Sequence, residues 1–259
     1  MKYPGAKTVL VSEIKRVYKQ SGCNTFIDVF AGSASVLLNI DSSRRIYNDI
    51  NPDVYNIFSV LRNNFKSIYM PMENLAEDKE TFFDFYDRRI LFNSDDEKIE
   101  NAFNSLFRLN TRFGGMGSTY GKKDKSLYGN FKKNIANLSM SESIIENMAV
   151  ENLDFRELLS KYDSPKSFFY LDPPYPGKDW YSDGFTESDY MDLKMVLKKL
   201  QGKFLMNFNS GNQLIYKIFG KPLYKLKFEN KNGKADQGND REVDFYSNMK
   251  NINGNNLKK

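Results

Sequence analysis

The sequence predicts a doubly wound α/β domain interrupted by an inserted helical subdomain. Two patterns carry this. Short β-rich segments ending at a turn or a carboxylate alternate with segments of helical period near both ends of the chain, while roughly Asp53 to Asn147 is mostly helical with a glycine-rich stretch inside it. At 259 residues, 40% hydrophobic and 15% aromatic, the chain can bury a substantial core, which excludes disorder as its overall state.

Taken in order, the buried strands are Thr25 to Phe30, Arg45 to Asn48, Ala149 to Asn152 and Ser167 to Leu171, with Phe204 to Phe208 as a fifth. Val36, Leu37 and Leu38 follow the first strand and can start a helix. Asn51 and Pro52 read as a cap and a first-turn proline, after which Val54, Ile57, Phe58 and Leu61 share one face. Ile99, Ala102, Phe103, Leu106 and Phe107 repeat the same spacing. Thr186 with Asp189 predicts a capped helix whose buried stripe is Leu193, Val196, Leu197 and Leu200. Asn248 to Lys259 is polar and asparagine-rich, and is expected to fray.

The chain has no histidine, so a Ser-His-Asp triad, a Cys-His pair, a His-ligated zinc and an imidazole general base are impossible. Its one cysteine, Cys23, cannot form an internal disulfide or a multi-cysteine metal site and is expected to be a small hydrophobe at the core edge. No metal is expected. Without a signal-like N-terminus or a long apolar run, the expectation is a soluble, non-secreted, cytoplasmic protein with no membrane contact. The net charge of +5 is mild, and its distribution says more than its size.

From Phe26 to Ser35 a strand runs into a turn of small residues, which lets the backbone approach a ligand at the carboxyl edge of a sheet. A dinucleotide fingerprint wants three glycines there; only Gly32 is present, with Ala34 and Leu37 at the other two places. Asp49 lies 21 residues after Asp28, at the end of the next strand, where a carboxylate can accept both hydroxyls of a ribose. A nucleoside without pyrophosphate is the better reading. The alternative for this pair is a strand-end carboxylate that caps a helix.

Asp172, Pro173, Pro174 and Tyr175 follow directly on the apolar strand from Ser167 to Leu171. Two prolines stop the ladder and stiffen the chain, so that a carboxylate and an aromatic face are presented together at the mouth of the sheet. A planar base with an exocyclic amine needs those two things: the ring stacks on Tyr175 while the amine donates to Asp172 and to a backbone carbonyl, which localises the nitrogen lone pair. Taken alone, the tetrapeptide is also compatible with a rigid turn and a helix cap.

Tyr3 to Lys7, Asp28 to Gly32, Asn48 with Asp49, Asn152 to Phe155, and Asp172 to Tyr175, in this order, resemble the motifs of the Dam-like (D12 class) DNA adenine-N6 methyltransferases. The resemblance runs from residue 3 to about residue 210. It implies a Rossmann-like doubly wound methyltransferase sheet, with residues 1–52 and 148–259 as the catalytic domain that binds S-adenosylmethionine and 53–147 as an inserted target-recognition subdomain. It also implies roles residue by residue. Tyr3 and Lys7 contact the donor, Asp28 belongs to the donor motif, Phe30 and Gly32 line the methionine part, and Asp49 holds the ribose. Asp154 and Phe155 address the adenine ring, Asp172 sits between donor and target, and Tyr175 stacks on the flipped base. Family members usually carry glycine where Ala6 stands, and commonly at Ala34, so the donor-loop backbone is expected to sit slightly differently.

Between Arg108 and Lys133 seven basic residues stand against one acidic residue, Asp124, among Phe113, Tyr120, Tyr128, Phe131 and the glycines Gly114, Gly115, Gly117 and Gly121. Positive charge interleaved with aromatic rings suits phosphate neutralisation and entry into a groove; a solvated surface loop is the plainer alternative. Arg108, Asn110, Arg112, Tyr120, Lys122 and Lys123 are the candidate contacts to double-stranded DNA. Arg108 to Asn110 resemble the start of the Dam-like recognition hairpin, but the segment that follows does not, so recognition of GATC is not implied.

The expected activity is transfer of a methyl group from S-adenosylmethionine to the N6 amine of a flipped adenine, with no covalent enzyme intermediate and positioning as the main contribution. The expected assembly is a monomer or weak dimer in the cytoplasm of a prokaryotic or phage-infected cell, and restriction-modification is the setting implied. Cytosine-N4 transfer and a catalytically inactive DNA-binding relative stand as the alternatives. Cytosine-C5 transfer is rejected because Cys23 lies outside any Pro-Cys context.

Overall fold

The computed structural model describes residues 10–68, 93–111, 125–176, 185–229, 240–250 and 252. Its strands are β1 (Thr25–Asp28), β2 (Arg44–Asn48), β3 (Ala149–Glu151), β4 (Ser167–Leu171), β5 (Lys203–Asn209), β6 (Tyr224–Glu229) and β7 (Asp240–Ser247). They form one seven-stranded sheet in the order β3-β2-β1-β4-β5-β7-β6. Parallel pairing joins β1 to β4, β4 to β5 and β2 to β3, whereas β7 runs antiparallel to both β5 and β6. This is the Rossmann-like, doubly wound class that the sequence predicts, closed at one edge by an antiparallel hairpin that the sequence does not announce.

The chain gathers into two compact units. One comprises Ala31–Asn39 and Arg44–Asn152 together with the N-terminal residues, the other Val9–Phe30, Ile40–Ser43 and Leu153–Lys259. The first unit is thus wider than the helical insertion and takes in β2, β3 and the small-residue turn.

In the second unit, helix α1 (Val11–Ser21) buries Ile14 and Val17 completely. Phe26 of β1 stacks on Phe168 of β4 at 5.7 Å, and Tyr18 meets both rings edge-on at 5.2 and 5.3 Å. Cys23 is half-buried, its thiol 3.4 Å from the Ser167 carbonyl. Strand β1 ends at Asp28 rather than Phe30: Val29 makes one more bond to the Tyr170 carbonyl, and the chain then turns.

Helices α2 (Pro52–Asn63), α3 (Asp95–Thr111), α4 (Lys125–Ser139) and the short α5 (Glu142–Glu146) belong to the first unit. Asn51 caps α2 by accepting from the Asp53 N–H at 3.0 Å, and Val54, Ile57, Phe58 and Leu61 are buried as the spacing predicts. Phe58 packs on Tyr47 of β2 at 4.4 Å. Helix α2 packs on α3 and α3 on α4, where Phe103 and Phe107 meet Phe131 edge-on at 5.8 and 5.3 Å. Asn56 reaches from α2 to the Lys98 carbonyl and to Asn101, so the first of these contacts is fixed in register as well as buried. The stretch Val36 to Leu38 forms only a 3₁₀ turn, Leu37–Asn39, because the Asn39 side chain folds back on the Ser35 carbonyl.

Helix α6 (Phe155–Tyr162) follows β3, α7 (Glu187–Leu197) precedes β5, and α8 (Gln213–Phe219) follows it. Thr186 and Asp189 form a full capping box on α7. Its buried stripe is Tyr190, Leu193 and Leu197, with Val196 and Leu200 only half-buried. Tyr190 takes the inner position because its hydroxyl donates to the Pro174 carbonyl, and the helix stops before Leu200. Among the described residues no helix is long and apolar enough to cross a membrane.

Gly202, just before β5, has no room for a side chain: a Cβ would lie 2.9 Å from the Ser167 carbonyl oxygen and 3.1 Å from that of Ser164. Its N–H also donates to Asp163 at 2.9 Å. Gly202→Ala should therefore destabilise the protein by about 1–3 kcal/mol, read as a shifted urea midpoint; an unchanged midpoint would contradict this packing.

Candidate active site

In the first unit, the turn after β1 and the end of β2 meet at one carboxylate. Gly32 adopts φ 49° and donates its N–H to Asp49 Oδ2 at 2.8 Å, while the Asn51 N–H donates to Oδ1 at 2.9 Å. The Gly32 carbonyl accepts from the Tyr47 hydroxyl at 2.9 Å, which holds the turn against β2. Asn152 donates its side-chain amide to the carbonyls of Asp49 and Ile50, at 2.7 and 3.0 Å, bracing the end of β2 from the end of β3. Ala34 lies at φ 55°, a left-handed conformation that costs a non-glycine residue about 1 kcal/mol, at the position where the resembled family commonly carries glycine.

Asp49 is buried, and burial pushes its carboxyl up to about 6 despite the two N–H bonds that oppose the shift. The next residue, Ile50, is 60% exposed. An aliphatic side chain is thus left in water next in sequence to the buried carboxylate. The sequence carries a signal for it, an isoleucine between Asp49 and Asn51 at a strand end, that periodicity alone does not reveal.

In the second unit, Phe30, Phe155 and Phe185 form an aromatic cluster with ring separations of 5.5 to 6.1 Å. Phe185 is an addition to the residues read from sequence. Asp154 caps α6, accepting from the Arg156 N–H at 2.8 Å and from its guanidinium at 3.0 Å. Arg156 also lies over the Phe155 ring at 4.3 Å and pairs with Asp189 and Asp192 of α7, so one cation fixes the ring that opens the helix. Asp28 is buried at the end of β1.

Strand β4 delivers Asp172 directly, and Pro173 behind it is buried. Asp172 Oδ1 accepts from the Tyr175 hydroxyl at 3.1 Å and from Asn207 Nδ2 at 3.0 Å. Asn207 Nδ2 lies 3.1 Å from the Tyr175 oxygen, and its own carbonyl accepts from the Tyr170 hydroxyl at 2.7 Å. Tyr175 is half-buried, its ring 5.8 Å from that of Phe208. A carboxylate and a phenol are thus held side by side at the carboxyl end of the parallel strands, where α/β sheets bind ligands.

The other residues singled out from sequence fall differently. Arg108 is largely buried, with its guanidinium 3.4 Å from Asp53. Asn110 is fully buried: its amide donates to the Leu106 carbonyl and its carbonyl accepts from Asn134, both at 2.7 Å, so its side chain ties α3 to α4. Tyr3, Lys7, Arg112, Tyr120, Lys122 and Lys123 lie outside the described residues.

A parallel sheet with an antiparallel edge, a buried carboxylate at one strand end and a proline-braced Asp-Tyr corner at another are the features of a Rossmann-like α/β protein. Residues 3–235 match the family model for D12 class N6 adenine-specific DNA methyltransferases, and the chain belongs to that family. It is 26% identical over 232 residues to the Retron Ec67 DNA adenine methylase of Escherichia coli, covering 85% of this chain and 79% of the relative. It is 25% identical over 243 residues to the type II methyltransferase M.MjaIII of Methanocaldococcus jannaschii, covering 82% and 84%. A third relative, the type II methyltransferase M.CviBI of Paramecium bursaria Chlorella virus NC1A, is 24% identical over 218 residues, with 80% of each chain covered.

Because the native state holds the Asp49 proton more tightly than the unfolded chain does, the contribution of this group to stability is greatest below about pH 4 and is lost as pH rises through about 6. The loss amounts to about 3 kcal/mol at most. Asp49→Asn should remove that slope, so the difference between wild-type and variant unfolding free energies should change steadily across this window. Parallel profiles would show that Asp49 does not titrate there.

Proposed function

We propose that the protein transfers a methyl group from S-adenosylmethionine to the N6 amine of an adenine extruded from double-stranded DNA. The observation that carries this reading is the Asp172-Tyr175 corner at the end of β4, in a chain of the D12 class. The residues present fit the donor. Asp49 offers an acceptor for ribose hydroxyls, with Gly32 and Asn51 holding its two oxygens in place, and Ile50 beside it offers an apolar face. Phe30, half-buried, offers aromatic surface with the buried Phe155 packed against it, Asp154 sets the start of α6, and Asp28 is buried in the same motif as Phe30 and Gly32. Tyr3 and Lys7 are proposed as further donor contacts. When bound, S-adenosylmethionine supplies a methyl carbon activated by a sulfonium.

Asp172 accepts a hydrogen from the target amine, which draws the nitrogen toward tetrahedral geometry and concentrates its lone pair. Tyr175 offers its ring to the base, and Pro173 with Pro174 keeps the two side chains from moving independently. The amine gives up one proton as the new carbon–nitrogen bond forms. Residues 1–52 and 148–259 are assigned to catalysis and 53–147 to target recognition. Within the latter, Arg108, Arg112, Lys122 and Lys123 are assigned to phosphates and Tyr120 to the opened duplex, with Asn110 supporting them from inside the helical layer. The protein is proposed to act as a monomer or weak dimer.

Incubation with a random-sequence duplex pool and S-adenosylmethionine, followed by sequencing that detects N6-methyladenine, tests the reading directly. Modified adenines in a common sequence context are expected, and their absence with donor-binding protein would overturn it. Asp172→Ala should reduce methylation by at least about 1,000-fold while donor affinity stays within a few-fold of wild type; near-normal turnover would remove Asp172 from the reaction. Since a ribose hydroxyl donates best to an ionised acceptor, the dissociation constant for S-adenosylmethionine should fall as pH rises through about 6 and flatten above it. In Asp49→Asn that pH dependence should vanish, as calorimetry across the window would show.

A further inference from the structure

Strand β5 is apolar except at one inward position. Phe204, Leu205, Met206 and Phe208 are buried, and among them stands Asn207, fully inaccessible to solvent. An amide at such a place is unfavourable unless every polar atom finds a partner; leucine would fill the space without that demand but would take this acceptor away from the buried Tyr170 hydroxyl. The partners of Asn207 therefore indicate why an amide stands there.

The parallel register sets Leu171 of β4 against Met206 of β5, so Asn207 lies one residue further along, level with Asp172. A carboxylate only accepts, which forces the amide nitrogen of Asn207 to face Asp172 Oδ1 and sends its second hydrogen to the Tyr175 oxygen. The Tyr175 proton is then directed to Asp172. The amide oxygen points the other way, to the Tyr170 hydroxyl, which must donate. Burial first, then the nearby charges of Asp172 and Asp28, push the Tyr170 phenol well above its ordinary range, so it remains a donor at any working pH. The chain of bonds has one consistent direction, and reversing the amide would set two oxygens against each other at Asp172.

We propose that Asn207, locked by Tyr170, is the positioning residue of the reaction corner: it holds the Asp172 carboxylate and the Tyr175 phenol in one arrangement before substrate arrives. The inference rests on the reading of Asp172 and Tyr175 as that corner. Asn207 acts through these two residues and need not touch the target itself. Positioning of this kind lowers the barrier by removing orientations that would otherwise compete with the reactive one.

Three variants test it, each read by steady-state methylation of duplex DNA, by donor binding and by thermal midpoint. Asn207→Leu should lower kcat by about 100-fold, with KM for DNA and donor affinity within about threefold of wild type. Tyr170→Phe, which keeps the ring and removes the lock, should lower kcat by about tenfold. Asn207→Asp is the discriminating case: when protonated, the new carboxyl can donate to Asp172 as the amide does, and when ionised it repels it. Its activity relative to wild type should therefore rise at least about tenfold between about pH 8.5 and about pH 6. A merely structural role predicts a flat ratio. Wild-type kcat in Asn207→Leu, or a flat ratio in Asn207→Asp together with unchanged kcat in Tyr170→Phe, would overturn the proposal. Asp172→Ala measured in parallel separates the two levels: if it is inactive while the Asn207 and Tyr170 variants are normal, the positioning inference fails alone. If Asp172→Ala is active, the reading of the corner fails with it.

Discussion

A carboxylate taken out of water has to be met by donors, and the ends of parallel strands supply them only where the chain is shaped to do so. Asp49 is met by two backbone N–H groups, from Gly32 and Asn51, which cannot titrate and cannot swing away. Asp154 is met by the backbone N–H and the guanidinium of Arg156. Asp172 follows a strand and precedes two prolines that have no N–H to give, and among the described residues the side chains of Tyr175 and Asn207 donate to it. The small-residue turn, the helix start and the proline corner are three local ways of holding a carboxylate, of which Asp49 is buried while Asp154 and Asp172 stay partly exposed.

The three solutions differ in what they leave available. Backbone donors fix Asp49 firmly yet do not fully offset its burial, so its carboxyl remains up near 6 and it still gains from further hydrogen bonds. Side-chain donors at Asp172 fix the carboxylate without closing the mouth of the sheet, since Tyr175 stays half-buried. The capping carboxylate of Asp154 is the most committed of the three, because Arg156 binds it and also binds Asp189 and Asp192. Phe155 beside it is buried, its ring packed by Phe30, Phe185 and Arg156.

Features whose cause is local were legible in the sequence. Asn51 and Pro52, Thr186 and Asp189, and the apolar run into Asp172 each carry their signal within a few residues, and each forms as expected. Features whose cause is distant were not. Strand β6 carries exposed lysines that pair with acids of β7, and pairing along β5 makes them strands. Val196 looked like core by spacing, but the hydroxyl contact of Tyr190 to the Pro174 carbonyl sets the rotation of α7. Ile50 and Phe185 gain meaning only from their neighbours in space.

Asn110 and Asn207 show most clearly where a sequence stops informing. Both are fully buried amides in otherwise apolar surroundings, and composition or periodicity cannot separate them. Among the described residues Asn110 bonds a helix carbonyl and another asparagine, contacts that hold α3 and α4 together. Asn207 bonds a carboxylate and two phenols at the end of a parallel strand. A buried amide of the first kind satisfies polar groups that the fold itself creates. One of the second kind does this too, by accepting from the buried Tyr170 hydroxyl, but it also directs its amide hydrogens to Asp172 and Tyr175, and that part of its presence is explained by the groups it orients.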